Sequence, residues 1–182
     1  LEAERAPEAR VVSHLLRARC TGSDWAVGVL SRAARTATDN GEPDTAVRYL
    51  RRALEEPPPE DGLGGLVREL GRAEALAGKP QAASRLAEAV RLTHDPHDRA
   101  EATLETGRTL CTQGRFDEAS EIFRSGLDQL EDREHALAMR LEAAHALAMR
   151  LSGRDVPSRL SLSPEDLDAY AADTAAGRVL LA

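Results

Sequence analysis

Three glycines, at positions 41, 78 and 114, constrain this chain more than any other feature, because they recur at intervals of 37 and 36 residues. The same residue types return around each of them. Downstream stand Ala46, Ala82 and Ala119, then Leu50, Leu86 and Phe123, then Ala53, Ala89 and Gly126, then Leu54, Val90 and Leu127. Upstream stand Ala34, Gly71 and Gly107. Within each unit these residues fall three and four apart, the spacing that lines one face of a helix. A glycine between two such runs ends one helix and opens the turn to the next, so the unit is a helical hairpin, repeated. One residue is missing after Lys79, where Pro80 starts the following helix early, and that deletion accounts for the unequal intervals. Agreement at six positions is hard to reach by chance, even in an alanine-rich chain.

The clearest copy is Ala102 to Leu130. Its first half places Leu104, Gly107 and Leu110–Cys111 on one face, Gly114-Arg115 breaks the pattern, and Ala119, Ile122–Phe123, Gly126–Leu127 and Leu130 resume it. Small residues at Gly107, Ala119 and Gly126 let two helix axes approach closely, and Leu110, Phe116 and Phe123 fill what remains. This alternation of small and large resembles a tetratricopeptide hairpin, and the positions fit that motif. The expected fold is therefore all-α, a tetratricopeptide-like superhelical stack of antiparallel helix hairpins, about nine helices in one domain spanning residues 1–182, with no sheet. The repeats run approximately over 24–56, 63–93, 97–130 and 132–172, with a truncated helix at 175–182. Gly71, Gly107, Ala119, Phe123 and Gly126 are the expected packing residues between helices.

Composition agrees. The chain is 42% hydrophobic but only 3% aromatic, so its core must be built from alanine and leucine, which suit close-packed helices better than a sheet. No run of about 18 apolar residues could span a bilayer, and no membrane partner is expected. The formal charge of −7 argues against this segment coating a phosphate backbone, so direct nucleic-acid binding is not expected either. Basic residues are nearly all arginine, Lys79 being the one lysine, a bias that fits a GC-rich genome. Cys20 and Cys111 lie far apart with no metal-ligand spacing, and read as reduced, buried thiols of a cytoplasmic protein. The chain opens without Met or a signal-peptide pattern and closes on Val179-Leu180-Leu181, which reads as a piece of a larger protein. Those three apolar residues would either form a homodimer contact or fold back on the helix at 132–151.

Several local expectations follow in chain order. Pro7 opens a first helix to Arg19, Asp24 caps a helix from Trp25 to Asp39, and Trp25 packs back on the first helix. Pro57-Pro58-Pro59 with Gly62, Gly64 and Gly65 forms a long linker. His94, Asp95 and His97 invite a metal reading, but Asp-Pro commonly opens a turn and helix and no further ligand stands nearby, so no metal site is expected. Asp132 to Leu151 holds His-Ala-Leu-Ala-Met-Arg-Leu twice, ten residues apart. Ten residues turn a helix by about 1000°, which leaves the copies roughly 80° apart and the helix apolar on a broad front. Ser163-Pro164-Glu165-Asp166 starts another helix, to about Ala172.

Catalytic signatures are missing. There is no phosphate loop, no Gly-x-Ser-x-Gly elbow, no His-Glu-x-x-His and no paired cysteines, so neither an enzyme nor a cofactor is expected in this segment. One constellation does stand out: Arg35, Arg72, Arg108 and His145 follow one another at 37, 36 and 37 residues. They occupy the first helix of each hairpin, which in a tetratricopeptide-like stack lines the concave surface, and would make a cationic ladder in a groove for a ligand or partner. Glu69, Glu105 and Glu142 recur three residues earlier. That spacing allows each acid to neutralise its own base within the helix, which makes the ladder structural. The other reading is that a carboxylate-bearing peptide or ligand competes for the arginines.

Asp24-Trp25-Ala26-Val27, the segment GEPDTAVRYLRRALEEPPPE at 41–60 and ELGRAEALAG at 69–78 together resemble the central region of actinobacterial large ATP-binding LuxR-type transcriptional regulators, of the signal-transducing ATPase class. The resemblance covers residues 7 to about 130, and the rest more loosely. It implies a helical-repeat sensor or protein-interaction module with a protein or small-molecule effector as partner. ATP would bind only in a domain upstream, and a helix-turn-helix downstream would bind DNA. In the related maltose regulator of enteric bacteria the equivalent region binds the inducer sugar, but no sugar-binding residues carry over to this chain. The alternative is a free-standing tetratricopeptide adaptor that docks a partner peptide.

Overall fold

The computed structural model describes residues 2–20, 22–56, 60–130 and 135–155. All regular structure among them is helical: α1 (Glu2–Leu15), α2 (Asp24–Asp39), α3 (Pro43–Glu55), α4 (Glu60–Leu76), α5 (Ala82–Leu92), α6 (Pro96–Thr112), α7 (Phe116–Asp128) and α8 (His135–Leu151). The chain divides into two compact units, Leu1–Leu92 and Thr93–Ala182, so the division falls between the second and third expected repeats. The expected helices at 163–172 and 175–182, with the apolar end at 179–181, lie outside the described residues.

The first unit holds two hairpins, α2 with α3 and α4 with α5, joined by packing of α3 on α4, while α1 leans on α2. Its core runs through Val29, Leu30 and Ala34 of α2, Ala46 and Leu50 of α3, and Leu70 and Ala73 of α4. In the second unit α6 pairs with α7, and α8 packs on both of them. Contact on two sides explains why α8 buries Leu137, Leu141, Ala144, Ala146 and Ala148, the broad apolar front of its doubled heptapeptide.

The repeat has a physical cause at its turns. Gly41, Gly78 and Gly114 adopt φ of +77°, +64° and +73°, a conformation only glycine enters freely. The residue after each glycine returns its N–H to a carbonyl five positions back: Glu42 to Ala37, Lys79 to Glu74 and Arg115 to Leu110, at 2.8–2.9 Å. This is the Schellman closure of a helix end. A fourth copy ends α8, with Gly153 at φ +73° and Arg154 donating to Met149 O at 2.9 Å. Helices α2, α4, α6 and α8 therefore share one ending.

Close approach follows where the small residues predict it. A Cβ built on Gly107 would stand 2.8 Å from Cδ1 of Phe123 and nearer still to Cε1 and Cζ. One on Gly71 would stand 2.7 Å from Leu86 Cγ, and one on Gly126 2.7 Å from Thr103 Cγ2. Ala119 and Phe123 are buried beside them.

Several local expectations need correction. Helix α1 begins before Pro7 and stops at Leu15 rather than Arg19. Its last carbonyl is taken by a side chain instead of by another helical turn, since Arg52 donates to Leu15 O at 3.0 Å and, in the turn that follows, to Ala18 O at 3.3 Å. The cap of α2 is Ser23, whose hydroxyl accepts from Ala26 N–H, and Asp24 falls in the first turn. Gly62, Gly64 and Gly65 lie inside α4, because Leu66, Val67 and Leu70 bury the following turn and outweigh the low helix preference of glycine. Trp25 is 61% exposed and does not pack back on α1. Cys20 is exposed in the turn after α1, not buried on a helix face.

Candidate functional site

In the first unit the Schellman turns put Arg35 on α2 and Arg72 on α4, each six residues before its glycine, so two successive hairpins present an arginine at equivalent places. Both line one cleft of about 190 Å³. Ala34, Leu50 and Ala73 give it an apolar floor, and Thr38, Asp39 and Glu69 complete the wall. The floor residues are buried, whereas Arg35 and Arg72 are exposed.

Glu69 does not take the in-helix partner that its spacing from Arg72 suggests. Arg35 donates to Glu69 Oε1 through Nε at 3.1 Å and through Nη2 at 2.6 Å, so the pair bridges α2 to α4. The rungs are therefore set by the distance between hairpins as much as by the helical repeat.

The remaining two ladder residues belong to the second unit. Arg108 is half-buried on α6, six residues before Gly114. His145 stands eight residues before Gly153, so by the turn register Leu147 occupies the equivalent place. Two residues turn a helix by about 200°, and His145 faces elsewhere. Burial is the main cause that lowers its pKa, Arg124 on α7 lowers it further, and Asp128 on α7 opposes them. The structure thus joins Arg35 with Arg72 and aims His145 toward the charges of α7.

Two buried acidic centres were not anticipated. Glu74, at 0% exposure, accepts from Arg51 Nη2 at 2.9 Å and from Gln81 Nε2 at 3.3 Å, with Arg85 Nε 3.8 Å from its other oxygen. It ties α3, α4 and the start of α5 together. Glu56 accepts from Arg52 Nη2 at 2.8 Å and from the N–H groups of Gly22 and Ser23 at 2.7 and 3.3 Å. With the Arg52 bonds to α1, this pair fastens the ends of three helices. A signal existed for both: Glu74 follows Leu70 by four residues on the apolar stripe of α4, and Arg52 precedes Glu56 by four.

Other candidates resolve into structural roles. Asp95 caps α6, its Oδ1 accepting from Asp98 N–H at 2.9 Å, and His94 and His97 are exposed. Among the described residues no group of three or more His, Cys, Asp or Glu could hold a metal ion. Burial pushes the Cys111 thiol up to about 11, which keeps it protonated at neutral pH. No described helix is long and apolar enough to cross a membrane. A second cleft of about 190 Å³ lies among α1, α2 and α3, lined by Val12, Ala37 and Tyr49 with Glu42 as its one charged residue. Compared with known protein families, curated proteins and solved structures, the chain matches none.

Proposed function

We propose that this chain is a binding module, a tetratricopeptide-like sensor or interaction element whose α2/α4 face receives a carboxylate from an effector or a partner protein. The observation that supports the reading is the shared cleft. Arg35 and Arg72 come from successive hairpins, stand over an apolar floor and line a cavity open to solvent. Guanidinium groups are the side chains best matched to a carboxylate, which they hold through paired N–H donors. On the resemblance carried by residues 24–27, 41–60 and 69–78, the module belongs to a cytoplasmic LuxR-type regulator. Binding here is relayed to an ATPase domain upstream and a DNA-binding domain downstream, and the module itself is not catalytic.

Titration of the ¹⁵N-labelled chain with short peptides ending in a free carboxylate, against the same peptides ending in an amide, tests the site. Shifts at residues 34–39 and 69–73 are expected with the free acids only, and Arg35→Ala with Arg72→Ala should abolish them. Equal shifts with both peptide sets would remove the reading. A phosphate loop upstream and a helix-turn-helix downstream in the open reading frame would support the regulator; a frame lacking both would favour the free-standing adaptor.

A further inference from the structure

The second cleft, among α1, α2 and α3, shares no lining residue with the one that holds Arg35. Its floor is apolar: Val12 of α1 and Ala37 of α2 are buried, and Ala33 of α2 is half-buried. Its polar lining is unspent. The side chains of Asn40, Glu42, Thr45 and Tyr49 make no hydrogen bond or ion pair among the described residues. Asn40 and Glu42 are exposed, and Thr45 and Tyr49 are half-buried, so solvent reaches all four.

The turn chemistry puts Glu42 there. Gly41 closes α2 at φ +77°, and Glu42 N–H returns to Ala37 O at 2.8 Å, which seats Glu42 against a residue of the floor. Glu42 holds the cap position of α3, yet its side chain accepts no capping hydrogen bond. The adjoining turns offer it no cation either. The last turn of α2 has no basic residue, Lys79 is taken by Asp44 at 2.8 Å, and Arg48 lies over the Tyr49 ring, 5.5 Å from its centroid. Glu42 is the one charged residue that lines the cleft.

That lining selects by charge and by size. An anion would meet Glu42 with no cation to answer it, and a neutral molecule would leave the carboxylate to water. At about 190 Å³ the cleft equals the share of about six water molecules, which fits a ligand of about six non-hydrogen atoms. We propose that the cleft binds a free aliphatic amine, an alkylammonium of about five carbons. The ammonium donates to the Glu42 carboxylate, with the Thr45 hydroxyl and the Asn40 amide oxygen as further acceptors. The alkyl chain covers Val12, Ala33 and Ala37.

Titration of the ¹⁵N-labelled full chain with n-pentylamine, 1-pentanol and pentanoate, at matched pH and ionic strength, tests this. Pentylamine, protonated at neutral pH, should shift residues 33–49 and bind about fivefold tighter than pentanol, with pentanoate silent. Ethylamine, three methylenes shorter, should bind about tenfold or more weakly. Glu42→Gln should weaken pentylamine about fivefold and leave pentanol within about twofold. Asp39→Asn, an exposed acid outside the cleft, should leave pentylamine within about twofold. Pentanol matching pentylamine would overturn the site, as would ethylamine matching it. Equal losses from Glu42→Gln and Asp39→Asn would also overturn it, since they mark diffuse attraction to an acidic surface. Nα-acetyl-lysine methylamide binding more tightly than pentylamine would replace the free amine by a lysine of a partner protein. Silence of pentylamine up to roughly 50 mM, five times a Kd of about 10 mM, would overturn the proposal. None of these results bears on the carboxylate reading of the Arg35 cleft.

Discussion

Replacing Gly107 by alanine sets two well-defined effects against each other. Gly107 lies inside α6, where alanine is the better helix former by about 1 kcal/mol. Its added methyl would stand 2.8 Å from Phe123 Cδ1 and closer to two other ring atoms. Carbon atoms in comfortable contact are about 3.5–4.0 Å apart, so the ring must retreat by roughly an ångström. Phe123 is 1% exposed and has nowhere open to go. Overpacking of this kind costs about 1–3 kcal/mol, which leaves a net loss of about 0–2 kcal/mol after the helix gain. Gly65→Ala is the control, because Gly65 lies inside α4 and nothing approaches within 4 Å of its new methyl. It should gain about 0.5–1 kcal/mol. Urea denaturation of both variants should show opposite shifts in midpoint at unchanged slope, and the melting temperatures should part by about 2–4 °C per kcal/mol. Combining Gly107→Ala with Phe123→Leu should recover part of the loss, since the two sites are in contact. A Gly107→Ala midpoint as high as that of Gly65→Ala would refute the assigned packing.

Glu56→Ala should cost about 3–5 kcal/mol in urea denaturation, because it leaves the Arg52 guanidinium buried without its acid. Glu55→Ala, at the exposed end of the same helix, should stay within about 0.5 kcal/mol. Cys20 should be alkylated by iodoacetamide well before Cys111, read by mass spectrometry, since Cys20 is exposed and the Cys111 thiol is pushed up to about 11. His145 has a pKa below its ordinary 6.5, so the unfolded chain takes up that proton at a higher pH than the fold does. Its contribution is present above that ordinary value and is lost as pH falls through the lowered one; melts between about pH 7 and pH 5 should show it, and His145→Gln should flatten the dependence.

The hairpins were legible because their cause is local. Glycine at positive φ, the spacing of Ala46, Leu50 and Ala53, and the small positions opposite Phe123 are read from one stretch at a time. Helix ends were less legible where a distant side chain decides them. Arg52 stops α1 from 37 positions away in sequence, through Leu15 O, and no pattern within α1 foretells it. The ladder was half legible. Equal intervals located Arg35 and Arg72, but the partner of Glu69 depends on the separation of two hairpins, and an interval of 37 residues miscounts α8, whose turn comes two residues later. Buried acids were overlooked for a simple reason: glutamate on a helix is ordinarily solvated, and only position on the apolar stripe distinguishes Glu74.

Glu69 connects packing to binding. Its bridge to Arg35 joins two hairpins, yet the arginine side chain is 63% exposed, and a pair of that kind contributes about 0–1 kcal/mol. A ligand that pulled Arg35 away would forfeit no more than that, and the coupling it could transmit through this bridge is limited to about fivefold. The buried centres set the other boundary. Glu74 and the Arg52–Glu56 pair fasten α1, α3, α4 and α5 with charges withdrawn from water, and breaking either is far more expensive than moving Arg35. Were the cleft occupied, the low-cost response of the first unit would be a loosening of α2 against α4, with the ends of α1 and α3 held fast.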